Sequence, residues 1–310
     1  LGTLLVAIAL AGCAGTSLVP PQAASVAAAS GPPKALLWVG NSFFYYNNSM
    51  HGHVAQLVRG DKSITHRGVS VTISGSGIDW HDVASYLGPD RIGKYSFVGD
   101  NEIRFNPPGP QFDAVMMMDC SQCPIHPQLG PVFHEYARKH SATVRASGAR
   151  PIFFMSWAYK DKPEMTAQLA EQYTKAGKAN GAQVVPAGLA FAKSVARKPD
   201  LELYVPDKRH PSLAGTYLAA CTVYAALLGK SPVGNAYTAG LPADVAQHLG
   251  GRIHVGIGRQ GRVLDPRNYW QADGFLHLVD YATTEYVVVF DPDTIQPGGT
   301  PSAKSANSSA

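Results

Sequence analysis

The chain has 310 residues, 45% hydrophobic and 15% charged, with a formal net charge of +4. So mild a surplus is no footprint for nucleic acid. Its 31 glycines and 23 prolines are too few for a collagen or a disordered low-complexity chain, and no stretch beyond the first thirteen residues is apolar enough to span a bilayer.

Residues 1–13, LGTLLVAIALAGC, read as an export segment with an apolar core from Leu4 to Leu10. Leu10-Ala11-Gly12-Cys13 has the form of a bacterial lipobox, in which the Cys becomes the new N-terminus and carries lipid. The alternative is a cleaved signal with an incidental Cys. The lipobox reading predicts an exported, periplasmic or cell-surface lipoprotein tethered to a membrane through Cys13. Residues 14–33 are small, Ala/Ser/Pro-rich and uncharged, which predicts a flexible linker.

From residue 34 short apolar runs alternate with amphipathic ones. Strands are predicted at 34–40, 69–73, 114–118, 151–157 and 183–186. Helices are predicted at 49–59, 78–87, 130–147, 163–180 (ended by Gly181) and 212–228. Apolar strands without polar alternation, separated by helices, predict a parallel sheet covered on both faces. The fold class is therefore α/β, a three-layer α/β/α sandwich over residues 34–232. Ligands of such sheets bind beyond the carboxyl ends of the strands. Residues 233–292 form an extension of uncertain fold, with a helix predicted near 241–249 and strands at 252–261 and 286–290. Residues 293–310, rich in Gly, Pro, Ser, Ala and Asn, predict a disordered tail.

Two sites at predicted strand and loop ends carry candidate chemistry. The first strand runs into Gly40-Asn41-Ser42, which puts Ser42 at the carboxyl edge of the sheet. A Ser there is either a turn or cap residue or a nucleophile. Asp207-Lys208-Arg209-His210, bounded by Pro206 and Pro211, sets a carboxylate three residues before an imidazole. Such a pair is either a surface cap with a solvated His or an oriented general base.

Together these segments resemble the SGNH superfamily, the GDSL-type esterases and lipases. Leu37-Trp38-Val39-Gly40-Asn41-Ser42-Phe43 is similar to the family's first block, with Asn41 where many members have Asp. Asp207-Lys208-Arg209-His210-Pro211-Ser212 is similar to its last block. A closer likeness is to an exported bacterial branch with a G-N-S-F opening and an H-P-S-x-x-G-x-Y-L ending, here His210 to Leu218. The resemblance covers residues 34–230 and implies a flavodoxin-like SGNH fold and a carboxylic-ester hydrolase without a cofactor. It implies Ser42 as nucleophile, His210 as base and Asp207 as its orienting carboxylate. Its oxyanion donors would be the Ser42 amide, a Gly amide after the second strand (Gly77, with Gly75 as second choice) and an Asn side chain after the third. That Asn has no counterpart here: Asp119-Cys120-Ser121-Gln122-Cys123 stands in its place, and Gln122 is the carboxamide that could substitute. The expected substrates are carbohydrate esters, small acyl esters, lipid esters or polyesters. The rival reading is a surface lipoprotein that binds a glycan or a protein and has lost catalysis.

Three other features have readings of their own. Cys120-x-x-Cys123 is a structural disulfide, a pair of buried thiols or a redox pair. His51, His53 and His81 are a polar rim or a metal site, though no carboxylate cluster accompanies them. Tyr45, Tyr46, Trp80 and Trp157 belong to the core or line a cleft.

Overall fold

The computed structural model describes residues 31–61, 63–89 and 91–251, together with short strands between 257 and 290. The expected export segment, Cys13, most of the linker and the 293–310 tail lie outside the described residues.

In chain order the elements begin with β1 (Ala35–Gly40), the one-turn α1 (Ser42–Tyr45), α2 (Met50–Gly60) and β2 (Arg67–Thr72). A single helical turn α3 (Val83–Tyr86) and a hairpin of β3 (Tyr95–Gly99) and β4 (Glu102–Phe105) precede β5 (Ala114–Met117). Then come α4 (Gly130–Ala146), β6 (Arg150–Phe154), α5 (Met165–Asn180), β7 (Gln183–Val185), α6 (Ala187–Arg197), α7 (Leu213–Leu228) and α8 (Ala243–Gly251).

Five strands form one sheet in the order β2-β1-β5-β6-β7, every neighbouring pair parallel. Counting only its own strands, the order is 2-1-3-4-5, the flavodoxin-like doubly wound arrangement. This is the architecture that the sequence resemblance implies. The central strands are buried along almost their whole length because helices cover both faces, while β2, at the edge, is half-buried throughout. Helix α7, LAGTYLAACTVYAALL, is apolar around its circumference; it packs against α2, α6 and α8, so no face is left for polar residues. The Ser212 hydroxyl accepts from the Gly215 amide at its start, and Gly229 ends it at φ 62°. Gly181 closes α5 in the same left-handed way.

The helix expected over 78–87 is not continuous. It is a 3-10 turn at Ile78–Trp80, followed by α3, which Asp82 caps by accepting from the Ser85 amide. The Ile78 carbonyl, which a helix starting here would use, accepts from His140 Nε2, while the Ile78 amide, which such a helix would leave unpaired, donates to Asp119 Oδ1. The β3–β4 hairpin and α6 were not expected. The stretch after 232 does not stand apart at first. Ala246 and Leu249 of α8 are buried, Asn235 Nδ2 donates to the Leu57 carbonyl, and the Tyr217 hydroxyl donates to the Tyr237 carbonyl. Of the strand expected over 252–261 only Ile257–Gly258 lies among the described residues, and it pairs with Arg262–Val263, while Glu285–Phe290 joins Tyr269–Ala272 and Phe275–Asp280 in a three-stranded antiparallel sheet.

Candidate active site

The carboxyl end of β1 is crowded. A side chain on Gly40 would collide with Met118 and Phe44, so only glycine fits. Asn41 follows in extended conformation and caps α1: its Oδ1 accepts from the Phe43 amide at 3.2 Å. Its Nδ2 donates to the carbonyls of Ser76 (2.9 Å) and Asp119 (3.2 Å). One side chain thereby joins the ends of three strands and fixes where Ser42, the first residue of α1, stands.

Ser42 Oγ lies 2.8 Å from His210 Nε2, and His210 Nδ1 lies 2.5 Å from Asp207 Oδ2. The other Asp207 oxygen accepts from the amides of Arg209 (2.8 Å) and His210 (2.9 Å). Slight burial pushes the Asp207 carboxyl up, but the His210 bond and the two amides outweigh it and hold the group below its usual range. A carboxylate at Nδ1 selects the tautomer whose Nε2 lone pair faces the serine. The loop is shaped by backbone bonds from Val205 to His210 and from Lys208 to Val205, with Lys208 in the left-handed region at φ 66°. Trp157, fully buried, donates its indole N–H to the Arg209 carbonyl at 2.9 Å. Tyr46 stacks on the imidazole, centroids 4.3 Å apart and planes 8° from parallel, and Phe43 meets it edge-on at 5.4 Å.

The loop after β2 lies against the carboxyl end of β1, where Asn41 and Gly40 bond to Ser76. Gly77 is buried, and a Cβ there would run into Asp79 and come within 3.1 Å of Asp119 Oδ1. Gly75 is exposed at φ 71° with open space around it, so of the two glycines only Gly77 is buried beside the strand ends. Among the described residues the amides of Ser42 and Gly77 have no acceptor, so both are free to donate to a ligand. Ser76 Oγ donates to the Gly40 carbonyl and meets His81 Nε2 at 3.0 Å.

Asp119, 2% exposed, accepts from the amides of Ile78 and Cys120, both at 2.8 Å, through the same oxygen. Burial raises its carboxyl to about 7, against the pull of those two amides. Gln122 sits inside the turn that a Cys120–Cys123 disulfide closes, so the two cysteines are joined rather than free thiols. Its side chain does not cap the turn and makes no hydrogen bond among the described residues. Cys221, the remaining free thiol described, is buried in α7.

Of the three histidines weighed for a metal, His53 and His81 meet protein groups through both ring nitrogens and His51 through one. His51 Nδ1 meets Ser49 Oγ, His53 bonds the Asn47 carbonyl and the Tyr237 hydroxyl, and His81 bonds Ser76 and Tyr86. Asp119, Cys120 and Cys123 come within metal-ligand reach of one another, but sulfurs joined in a disulfide are not thiolate ligands. Of the aromatics, Trp157 is core, stacked between Phe43 and Phe191, whereas Trp80 is 60% exposed. Tyr46, weighed in the sequence as core or cleft lining, stacks on His210; Asp119 was not expected as a site residue.

No family profile and no curated protein matches the sequence. Among solved structures the chain is similar to a DUF4886 family protein from Bacteroides uniformis, at 16% identity over 69% of this chain and 91% of that one, TM-score 0.49. It is similar to a candidate SGNH hydrolase from Slackia heliotrinireducens, at 20% identity over 62% and 97%, TM-score 0.48. It is also similar to a catalytic mutant of an acetylxylan esterase from Geobacillus stearothermophilus, at 14% identity over 64% and 95%, TM-score 0.45. At such identities the reading of the site rests on this chain's own residues.

Proposed function

We propose that the protein is a serine hydrolase of the SGNH type acting on carboxylic esters. The observation that carries the proposal is the relay from Ser42 Oγ through His210 to Asp207, at 2.8 and 2.5 Å, on the carboxyl edge of a doubly wound sheet. His210 Nε2 takes the hydroxyl proton as Ser42 Oγ attacks the ester carbonyl. Asp207 stabilises the imidazolium, and the proton passes to the departing alcohol. The tetrahedral oxyanion is received by the amides of Ser42 and Gly77, and water then cleaves the acyl-serine by the same route in reverse. Gln122 is the side chain nearest in sequence to the expected third donor and would have to turn inward to serve. Carbohydrate acetyl esters, small acyl esters and polyesters are the substrate classes to screen. In the same reading residues 1–13 export the protein and Cys13 anchors it to a membrane.

A fluorophosphonate probe tests the relay. The wild type is expected to label at Ser42, and Ser42→Ala and His210→Ala are expected not to. A folded wild type that stays unlabelled would refute an activated serine.

A further inference from the structure

The β3–β4 hairpin carries the most exposed apolar surface of the described residues. Its register pairs Tyr95 with Phe105 and Phe97 with Ile103, which puts these four side chains on one face. Phe97 is 75% exposed, Phe105 65%, Tyr95 49% and Ile103 46%. The three rings pack on one another, with Tyr95 5.7 Å from Phe97 and 6.4 Å from Phe105, and nothing described covers them. A two-stranded hairpin is marginal by itself in water, and a contiguous exposed apolar patch marks an interaction surface.

The foot of the hairpin fixes its place in the fold. Asn106 Nδ2 donates to the Gly93 carbonyl, and a side chain on Gly93 would press on Gln111, Phe112 and Arg67. Arg67 opens β2 and Phe112 leads into β5, so the hairpin springs from the amino ends of the strands. The N-terminal segment enters at that same pole: the Pro33 carbonyl meets His66 Nδ1, and the Lys34 amide donates to Asp113 Oδ2. Helices between parallel strands end there too, and their last turns carry exposed Arg59, Arg145 and Lys178, joined by exposed Lys34. The helix dipole favours basic last turns one by one; set on one pole together they face an anionic surface. Acidic Asp100 and Glu102 lie at the hairpin turn, so the charge is mixed at the tip.

We propose that the hairpin and the basic amino pole around it form a membrane-contact surface that seats the domain on an anionic lipid bilayer. Aromatic rings flanked by basic side chains suit the interface between headgroups and acyl chains. On the linker reading of the sequence, the seventeen residues 14–30 would reach roughly 23 Å as a flexible coil, which would keep this pole near a membrane-bound Cys13. Ser42 lies at the opposite pole, one strand length or about 20 Å away, and stays open to water. The inference is separate from the esterase reading and uses the anchor reading only for the direction of approach.

The test uses the full chain with Cys13→Ser, so that no lipid is attached and failure of the anchor reading leaves it intact. An environment-sensitive thiol dye is placed on Phe97→Cys or, at the opposite pole, on Gln128→Cys. Cys120 and Cys123 are joined and Cys221 is buried, so the dye goes to the introduced thiol. With vesicles one-third phosphatidylglycerol in phosphatidylcholine, the protein is expected to float. The dye at 97 is expected to shift to the blue and be quenched by nitroxide lipids, while the dye at 128 keeps its aqueous emission. F97S/F105S is expected to lower vesicle binding about tenfold or more, with circular dichroism and Ser42 labelling reporting its fold. Binding through residues 1–10 is common to all variants, so the dye position decides where binding alone does not. Equal aqueous emission at both positions in floated protein would overturn the proposal. So would a dimer in the absence of lipid that F97S/F105S dissolves, which would assign the patch to a second copy of the chain.

Discussion

Asp119→Asn is expected to make the folded protein more stable relative to the parent as the pH rises from 4 to 8. The Asp119 carboxyl is 2% exposed, and burial raises it from an ordinary value near 3.8 to about 7. The sign follows from proton counts. Below pH 4 both states hold the proton, between 4 and 7 only the unfolded chain releases it, and above 7 both have lost it. A raised carboxyl therefore contributes stability at low pH that is lost as the pH climbs through 7. Three pH units at 1.36 kcal/mol each give a loss on the order of 4 kcal/mol. Asn removes that dependence and keeps an oxygen for the Ile78 and Cys120 amides. Its added N–H donors carry a cost of about 1–3 kcal/mol if unsatisfied, but that cost does not vary with pH. The readout is therefore the difference between parent and variant in urea midpoint at pH 5 and pH 8. Other titrating groups, such as buried His81, are common to both chains and cancel. Parallel stability curves across that range would refute the argument, because they would mean that Asp119 ionises in the fold as easily as in water.

Three further perturbations separate scaffold from chemistry. Asn41→Ala removes a helix cap worth about 1 kcal/mol and leaves two strand-end carbonyls without their donor. A loss of about 3 kcal/mol in chemical denaturation is expected, and a loss under about 1 kcal/mol would show that water replaces the side chain. Tyr46→Ala bares one face of His210 and is expected to slow fluorophosphonate labelling about tenfold with little change in melting; Tyr46→Phe, which keeps the stack, should label like the parent. Gly77→Ala forces Asp79 aside and crowds Asp119. It is expected to lower kcat toward esters by up to about a hundredfold, the scale of one oxyanion donor, with KM nearly unchanged. An equal rise in KM would place Gly77 in ground-state binding instead.

What the sequence disclosed and what it hid divide along physical lines. Strands β1, β5 and β6 were legible because a strand buried on both faces is written as an unbroken apolar run. Ser42 and the Asp207/His210 pair were legible because each is a local motif at a strand or loop end. Asp119 was not: its place in the site depends on the Ile78 amide 41 residues away. The Tyr46 stack joins residues 164 positions apart in sequence, which no spacing rule encodes. The hairpin did leave a signal, since Tyr95, Phe97, Ile103 and Phe105 alternate about Gly99-Asp100-Asn101. Helix α6 was overlooked although Pro186 marks its start.

The Asp207 side chain is 42% exposed, so its charge attraction to His210 is screened and contributes little to holding the loop. Backbone bonds around the loop, the Trp157 bond to the Arg209 carbonyl and the Tyr46 stack hold it instead. The carboxylate's distinct contribution on the proposed mechanism is therefore the tautomer. Asp207→Asn can keep one oxygen on the Arg209 and His210 amides, which turns an NH2 group toward His210 Nδ1. Nδ1 must then accept, the ring proton moves to Nε2, and the lone pair that would take the Ser42 proton is gone. Turnover is expected to fall by a factor on the order of 10⁴, as with the same exchange in serine proteases, while the melting temperature stays within about 2 °C of the parent's, less than about 1 kcal/mol. Asp207→Ala should lose the amide acceptor as well and so fall in both. If the Asp207→Asn enzyme kept about a tenth or more of parental turnover, against the loss expected from the wrong tautomer, His210 would be oriented without the carboxylate, and the relay would reduce to a Ser–His pair.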